Sequence, residues 1–377
     1  MNALTREENL SRLDRLPKPV PTPNHRAYVR ERRLALLRSP RKLWNYLKYK
    51  RTARAGASVN YLPIKLDIEN VSRCNFRCTM CQVSDWPKGQ RARDMPLEDF
   101  RRLIDEQVGL VEVKIQGMGE PLLQGDDFFA MIRYARARNI WVRTVTNASL
   151  LHLKGNHKKL IDSGVNEVQI SIDAAQAETY ESIRVGSDFP RVKENCKLIN
   201  TYCRDQGVLR TKMWTVVQKD NLPQLERLVD LAAELGFSCQ VFSLGIGFWG
   251  DEDWKSRNEE VEVSDLLQFD AALQLVERGK KLGVDVGFWS VVSKYSAIDR
   301  KRLCPWPFER SYAASDGRMV PCCVIANPDT YEIGGSGSLK DIWHGADYDA
   351  FRQAHLDDNI PDVCVNCYSL DQKPVVS

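Results

Sequence analysis

An α/β fold built on a parallel sheet is what this sequence predicts, on three observations. From residue 61 onward, apolar strand patterns alternate with amphipathic helix patterns, six times in succession. The chain has 377 residues, enough for two domains or for one barrel with an appendage. The alternation stops near residue 295, where Cys, Gly and Pro become frequent and periodicity fades. Strands alternating with helices imply a parallel sheet whose outer face the helices cover.

The elements follow in order. YLPIKLDIE (61–69) is the first strand, and PLEDFRRLIDEQV (96–108) is a helix opened by Pro96 with acidic residues in its first turn. LVEVKIQG (110–117) is the second strand, followed by the helix DDFFAMIRYARAR; NIWVRTVTN (139–147) is the third, followed by a helix near HKKLIDSG. EVQISIDA (167–174) precedes a helix around PRVKENCKLINTYCRDQG, and TKMWTVVQ (211–218) precedes LPQLERLVDLAAELG. SCQVFSLG (238–245) is the sixth strand, and VDVGFW (284–289) is a seventh apolar run after the helix FDAALQLVERGKKLG.

Composition fits a soluble enzyme. No apolar run approaches the ~20 residues needed to span a bilayer, and MNALTREENLSRLDRL lacks the apolar core of a secretory signal. A cytoplasmic location is expected, where the eleven cysteines are poor disulfide candidates and the clustered ones suit metal or cluster ligation. Residues 1–60 hold 15 Lys/Arg and 4 Asp/Glu, a net +11 that leaves −7 for the rest of a chain totalling +4. RAYVRERRLALL and RKLWNYLKYKR read as two amphipathic helices broken at Ser39-Pro40. The favoured reading packs them on the barrel through Leu34, Leu37, Trp44 and Leu47. Peripheral contact of their basic faces with an anionic membrane is the alternative. No interleaved aromatic-basic surface follows, so nucleic acid is not expected as a partner.

The loop after the first strand carries Cys74, Cys78 and Cys81. Three thiolates so spaced can ligate three irons of a 4Fe–4S cube. No fourth cysteine follows nearby, so one iron stays open, whereas an electron-storing cluster has four protein ligands. A zinc site short of one ligand, or three buried thiols, are the competing readings. With Asn75 after the first cysteine, the motif resembles that of the radical S-adenosylmethionine (SAM) superfamily. The resemblance implies that SAM chelates the open iron and that an electron from the cluster cleaves it to a 5′-deoxyadenosyl radical. It also implies a partial (β/α)6 TIM-like barrel, which six units match better than a closed eight-unit barrel. Chemistry is then expected at the carboxyl ends of the strands.

The same resemblance assigns SAM contacts. Gly117-Met118-Gly119-Glu120-Pro121 looks like the turn that holds the amino group of SAM, with glycines permitting close backbone approach. Asn147 lies in Thr146-Asn147-Ala148, where the family usually has glycine in place of Ala148. Ser171 and Asp173 alternate onto one face of their strand and match contacts to the SAM ribose and carboxylate. Arg184 matches an arginine that pairs with that carboxylate, the alternative being a helix-surface salt bridge. Met80 matches an apolar contact to the adenine, or is core packing.

The tail contains Cys304, Cys322, Cys323, Cys364 and Cys367, and resembles a short SPASM domain, the auxiliary-cluster appendage of many radical SAM enzymes. The family's full pattern has seven cysteines and two auxiliary clusters; five leave one fully ligated 4Fe–4S cluster and one cysteine over. The ligands implied are Cys304, Cys322, Cys364 and Cys367. Cys323 is the spare, because adjacent residues in an extended segment point to opposite sides. Spacing alone also suits structural zinc. His344 and His355 are expected at the surface or in packing.

The domains expected are a basic helical N-terminal extension (1–60), a radical SAM partial barrel (61–294) and a SPASM domain (295–377). The cofactors are SAM and two 4Fe–4S clusters, one binding SAM and one auxiliary. By family analogy, the substrate expected is a carbohydrate-like small molecule: a sugar, aminocyclitol or similar polyol, oxidised or epimerised at one carbon. Cys323 and Cys239 are the hydrogen-donor candidates for epimerisation. An electron donor such as flavodoxin or ferredoxin is a further expected partner. A peptide-modifying maturase is the alternative, disfavoured because no leader-binding domain is recognised in the first 60 residues. A non-catalytic zinc or redox-binding protein is the third reading.

Overall fold

The computed structural model describes residues 15–17, 25–86, 91, 93–263, 266–289, 294–335 and 337–368. Residues 1–14, on which most of the signal-peptide expectation rests, lie outside these. In chain order the strands are β1 (Lys65–Ile68), β2 (Arg77–Cys78), β3 (Glu112–Ile115), β4 (Trp141–Thr146), β5 (Glu167–Ser171), β6 (Arg184–Val185), β7 (Thr211–Val216), β8 (Cys239–Ser243), β9 (Asp285–Trp289), β10 (Arg310–Ala313) and β11 (Met319–Val320). All but β2 and β6 form one sheet, ordered β11-β10-β1-β3-β4-β5-β7-β8-β9. Every pairing in it is parallel except that of β10 with β11.

The six expected strands and the seventh run are all present in this partial barrel. The expected helices form at Leu97–Glu106, Asp126–Ala137, Asn156–Asp162, Phe189–Asp205, Leu225–Glu234 and Phe269–Leu282. Several elements escaped the sequence reading, among them the helix Ala177–Ile183 and the short strands β2, β6 and β11. The helix Glu252–Val261 is nearly all polar, and β10 is four residues in the aperiodic tail. β10 nevertheless pairs with β1 from Lys65↔Arg310 to Ile68↔Ala313, so the tail extends the barrel sheet.

Strand alternation divides the core in two. Leu66, Ile68, Val113, Ile115, Val142, Val168 and Ile170 are fully buried against helix residues such as Phe100, Ile104, Phe128, Ile132 and Ile199. Each such side chain contributes on the order of 1.5–3 kcal/mol. The opposite face is charged. Register sets Tyr312, Asp67, Lys114, Arg143 and Glu167 in one row across five strands. Arg310 bridges Asp67 (2.9 Å) and Glu112 (3.1 Å), Arg143 bridges Glu112 (3.2 Å) and Glu167 (2.9 Å), and Lys212 meets Glu167 at 2.7 Å. Burial opposes ionisation of Glu112, but Arg310, Lys65 and Arg143 outweigh it and hold its carboxyl far below the usual range.

The N-terminal segment forms helices α1 (His25–Leu37) and α2 (Pro40–Thr52), the second capped by the Ser39 hydroxyl accepting from the Lys42 amide. The pair closes the amino-terminal end of the barrel. Tyr28 donates to Glu112 and packs edge-on against Trp141, Lys42 donates to the Arg138 carbonyl, and Asn45 exchanges hydrogen bonds with Leu62. The expected packing face is corrected here. Leu34, Leu37, Trp44 and Leu47 are exposed; Tyr28, Ala35, Leu36, Leu43, Tyr46 and Tyr49 pack inward.

Glu69, just past β1, joins barrel to tail. Its fully buried carboxylate accepts from the Met118 amide (3.1 Å), the Arg91 guanidinium (2.6 Å), and the amide and hydroxyl of Ser315 (both 3.0 Å). Glu69→Ala strands Arg91 in a buried position and is expected to cost about 3–5 kcal/mol in chemical denaturation. Glu98→Ala, which removes an exposed helix pair with Arg101, should cost under about 0.5 kcal/mol.

Candidate SAM and iron–sulfur site

The cysteine loop leaves β1 at the carboxyl end of the barrel, where the expected chemistry belongs. It is held from two sides. On one, β2 pairs with β6, setting Cys78 opposite Arg184, and the Thr79 amide donates to the Ile183 carbonyl at 3.0 Å. On the other, the glycine-rich turn lies directly against the loop. A Cβ on Gly117 would sit 2.1 Å from Glu69 Cγ, and one on Gly119 would sit 2.3 Å from the Arg73 carbonyl oxygen. The close approach that these glycines permit is therefore, first of all, to the cysteine loop itself.

Burial pushes Cys74 and Cys81 up to about 12 and raises Cys78 as well, with Arg184 opposing the rise at all three. Thiolates there need further positive charge, which irons supply, and three such thiols fit a cluster with one open iron. Asn147 donates to Asn75 Oδ1 (3.1 Å) and reaches Cys74 Sγ at 3.9 Å, while accepting from Ser149. Ala148 keeps the left-handed backbone, φ +62°, that favours the family's usual glycine. Its strain is roughly 1–2 kcal/mol.

Three of the expected SAM contacts, Glu120, Asp173 and Arg184, also have partners within the chain. Glu120 is buried and accepts from the Thr146 hydroxyl (2.7 Å), the Asn147 amide (2.7 Å) and the Leu122 amide (3.3 Å), tying the glycine-rich turn to the end of β4. Asp173 takes the Arg184 guanidinium on one oxygen (2.6 and 2.7 Å) and the Val216 amide on the other (2.8 Å). Arg184 also reaches Cys78 Sγ at 3.9 Å. The Asp173–Arg184 pair is buried, not the surface salt bridge, and it steadies the cysteine loop. Ser171 stands half-buried opposite Trp214 in the barrel register, and Met80 is buried.

In the tail, Cys304 lies within electrostatic reach of Cys322 and Cys367, and Cys364 within reach of Cys322, Cys304 and Cys367, while Cys323 lies within reach of Cys322 and Cys367. Cys323 is pushed up to about 12 by burial and by Asp67, and is also near Lys114 and Arg310, which turns it toward the charged lumen. Among the described residues, no three His, Cys, Asp or Glu side chains gather tightly enough for a single ion. His344 is exposed and His355 is buried in packing. Cys239 opens β8 beside Lys212 and Glu167, at the strand end remote from the cysteine loop. Glu69, Arg91 and Ser315 went unread, although the inward alternation Lys65, Asp67, Glu69 could have flagged the first.

Three thiols on the loop after β1 and a second group of thiols in the tail suit two iron–sulfur clusters. The chain belongs to the radical SAM superfamily: residues 70–232 match the radical SAM model, and residues 304–368 match the iron-sulfur cluster-binding SPASM domain. Those two domains imply SAM and two 4Fe–4S clusters. It is 29% identical over 208 residues to the mycofactocin maturase MftC of Mycolicibacterium smegmatis, an alignment covering 53% of this chain and 49% of the maturase. The chain thus spans about half the length of that relative. It is 25% identical over 316 residues to the PqqA peptide cyclase of Ruegeria pomeroyi, covering 81% and 79%. The structure of Streptococcus suis SuiB bound to precursor peptide SuiA superposes with a TM-score of 0.62 at 17% identity, covering 82% of this chain and 70% of SuiB, and shows the shared fold.

Replacing Cys74, Cys78 and Cys81 together by Ala should abolish formation of 5′-deoxyadenosine and leave about four irons per chain, against about eight for the parent. Persistent cleavage would mean the two cysteine groups have the wrong roles. Burial raises the Glu120 carboxyl from 4.5 to about 7. Between those values the folded apo chain keeps a proton that the unfolded chain has lost, so its stability falls as pH rises through the window. Glu120→Gln should flatten that part of the melting-temperature profile; an unchanged slope would place the titration elsewhere.

Proposed function

We propose that this protein is a peptide-modifying radical SAM enzyme. The observation that carries the reading is the 25% identity to a peptide cyclase over 81% of this chain. The maturase match points the same way. The expected sugar or aminocyclitol substrate finds no such support among these relatives.

When bound, SAM and its open-iron cluster supply a radical that removes a hydrogen atom from a substrate carbon. The chain's own residues set where that happens. The β2–β6 pairing and the Asp173–Arg184 pair fix the cysteine loop at the barrel mouth. Below it the lumen offers Lys114, which burial and Arg143 push down to about 8, and Trp214 facing Trp289 at 6.3 Å. These groups suit a polar backbone carrying one reactive side chain. Cys304, Cys322, Cys364 and Cys367 would hold the auxiliary cluster, which would supply one-electron redox chemistry.

Reconstituted protein, SAM and reductant should form 5′-deoxyadenosine faster when a whole, undesalted extract of the producing organism is added. Protease treatment of the stimulating fraction should remove the effect. Stimulation that survives protease and follows a glycosidase-sensitive or small polyol fraction would restore the carbohydrate reading.

A further inference from the structure

The N-terminal helix pair carries a face that the fold leaves uncovered. Leu34, Leu37, Trp44 and Leu47 are 40, 76, 61 and 43% exposed. They recur three apart on each helix, so each pair shares one side of its helix. Exposed Arg26, Arg30, Arg33, Arg41 and Arg51 lie among them. Residues 25–52 contain ten Lys/Arg and one acidic residue, Glu31. Glu31 turns inward, meeting Arg136 at 2.9 Å and accepting from Asn166 at 3.2 Å. The outward side is therefore apolar and cationic, with no carboxylate.

Attachment of α1 and α2 to the barrel does not use this side. Tyr28, Lys42 and Asn45 hold the pair to the strand starts by hydrogen bonds, and Ala35, Leu36, Leu43 and Tyr46 fill the apolar contact. A second apolar stripe on helices already anchored is not needed for folding. Isolated exposed apolar residues need no explanation, but a stripe ringed by cations does.

We infer that this face docks on an anionic lipid membrane. Large apolar side chains flanked by arginine and lysine are what interfacial helices present to the headgroup layer. Trp44, with Lys48 Nζ 5.9 Å from its ring, has the amphipathic shape favoured at that depth. Arg26, Arg30 and Arg33 rim a shallow apolar hollow with Leu34, a place for an anionic headgroup over the acyl boundary. The face is the outer side of two helices and offers no sheet edge for an extended acidic peptide. Because it lies at the amino-terminal ends of the strands, docking leaves the barrel mouth and cysteine loop facing away from the lipid. No helix among the described residues is long and apolar enough to cross a membrane, so the contact is peripheral.

The test is co-sedimentation of the reconstituted full chain with vesicles of phosphatidylcholine alone or mixed with phosphatidylglycerol. Binding is expected to the mixed vesicles only, and to weaken with salt. The triple variant Arg30→Glu, Arg33→Glu, Arg41→Glu should bind about 100-fold more weakly. The double variant Leu37→Ser, Trp44→Ser should lose roughly tenfold or more while the charges stay. Both variants should cleave SAM at the parent rate, since neither touches the cysteine loop. Absence of sedimentation, equal binding to neutral vesicles, or parent-like binding by both variants would overturn the proposal. Preference for polyglutamate over mixed vesicles would also overturn it, and would assign the face to an acidic polypeptide.

Discussion

A single buried carboxylate determines how the two halves of this protein meet. Glu69 follows β1 directly and gathers donors from the glycine-rich turn, from Arg91 and from Ser315 of the tail. Removing it from water is expensive, and four donors offset that cost only in one arrangement. The same turn abuts the start of the cysteine loop at Val71 and Arg73, so the barrel, the turn and the tail meet at one place. β10 strengthens the junction by pairing with β1 along its whole length. The tail is thus part of the barrel wall.

The lumen continues this pattern. Its charges run as a chain of opposite signs, Asp67, Arg310, Glu112, Arg143, Glu167 and Lys212, each held by the next. Such a chain is weak evidence for stability, since apolar residues could fill the same space. What it provides is fixed geometry and polarity beneath the cysteine loop. Arg184 serves the loop in a related way, bringing positive charge to Cys78 while Asp173 holds it in place.

Much of this was legible in the residues. The alternation of Lys65, Asp67 and Glu69 with Leu66 and Ile68 marks a strand with one apolar face, and six such patterns set the barrel. The cysteine spacing marked the cluster loop directly, because ligand spacing is a local property. β10 was not legible, since four residues without a following helix carry no periodic signal. The packing side of α1 and α2 was misread for a different reason. Both helices have two apolar stripes, and a period of 3.6 residues cannot say which one faces the barrel. The partners of Asp173 and Glu120 were likewise out of reach, because they are set by distant strand ends meeting at the mouth.

The central claim is that two cysteine groups hold two clusters of different kinds, one open to SAM and one closed. It is tested most directly by electron paramagnetic resonance of the reduced, anaerobically reconstituted protein with and without SAM. Two overlapping cluster signals are expected, of which one shifts on SAM addition and the other does not. A single signal, or two signals that both ignore SAM, would contradict it.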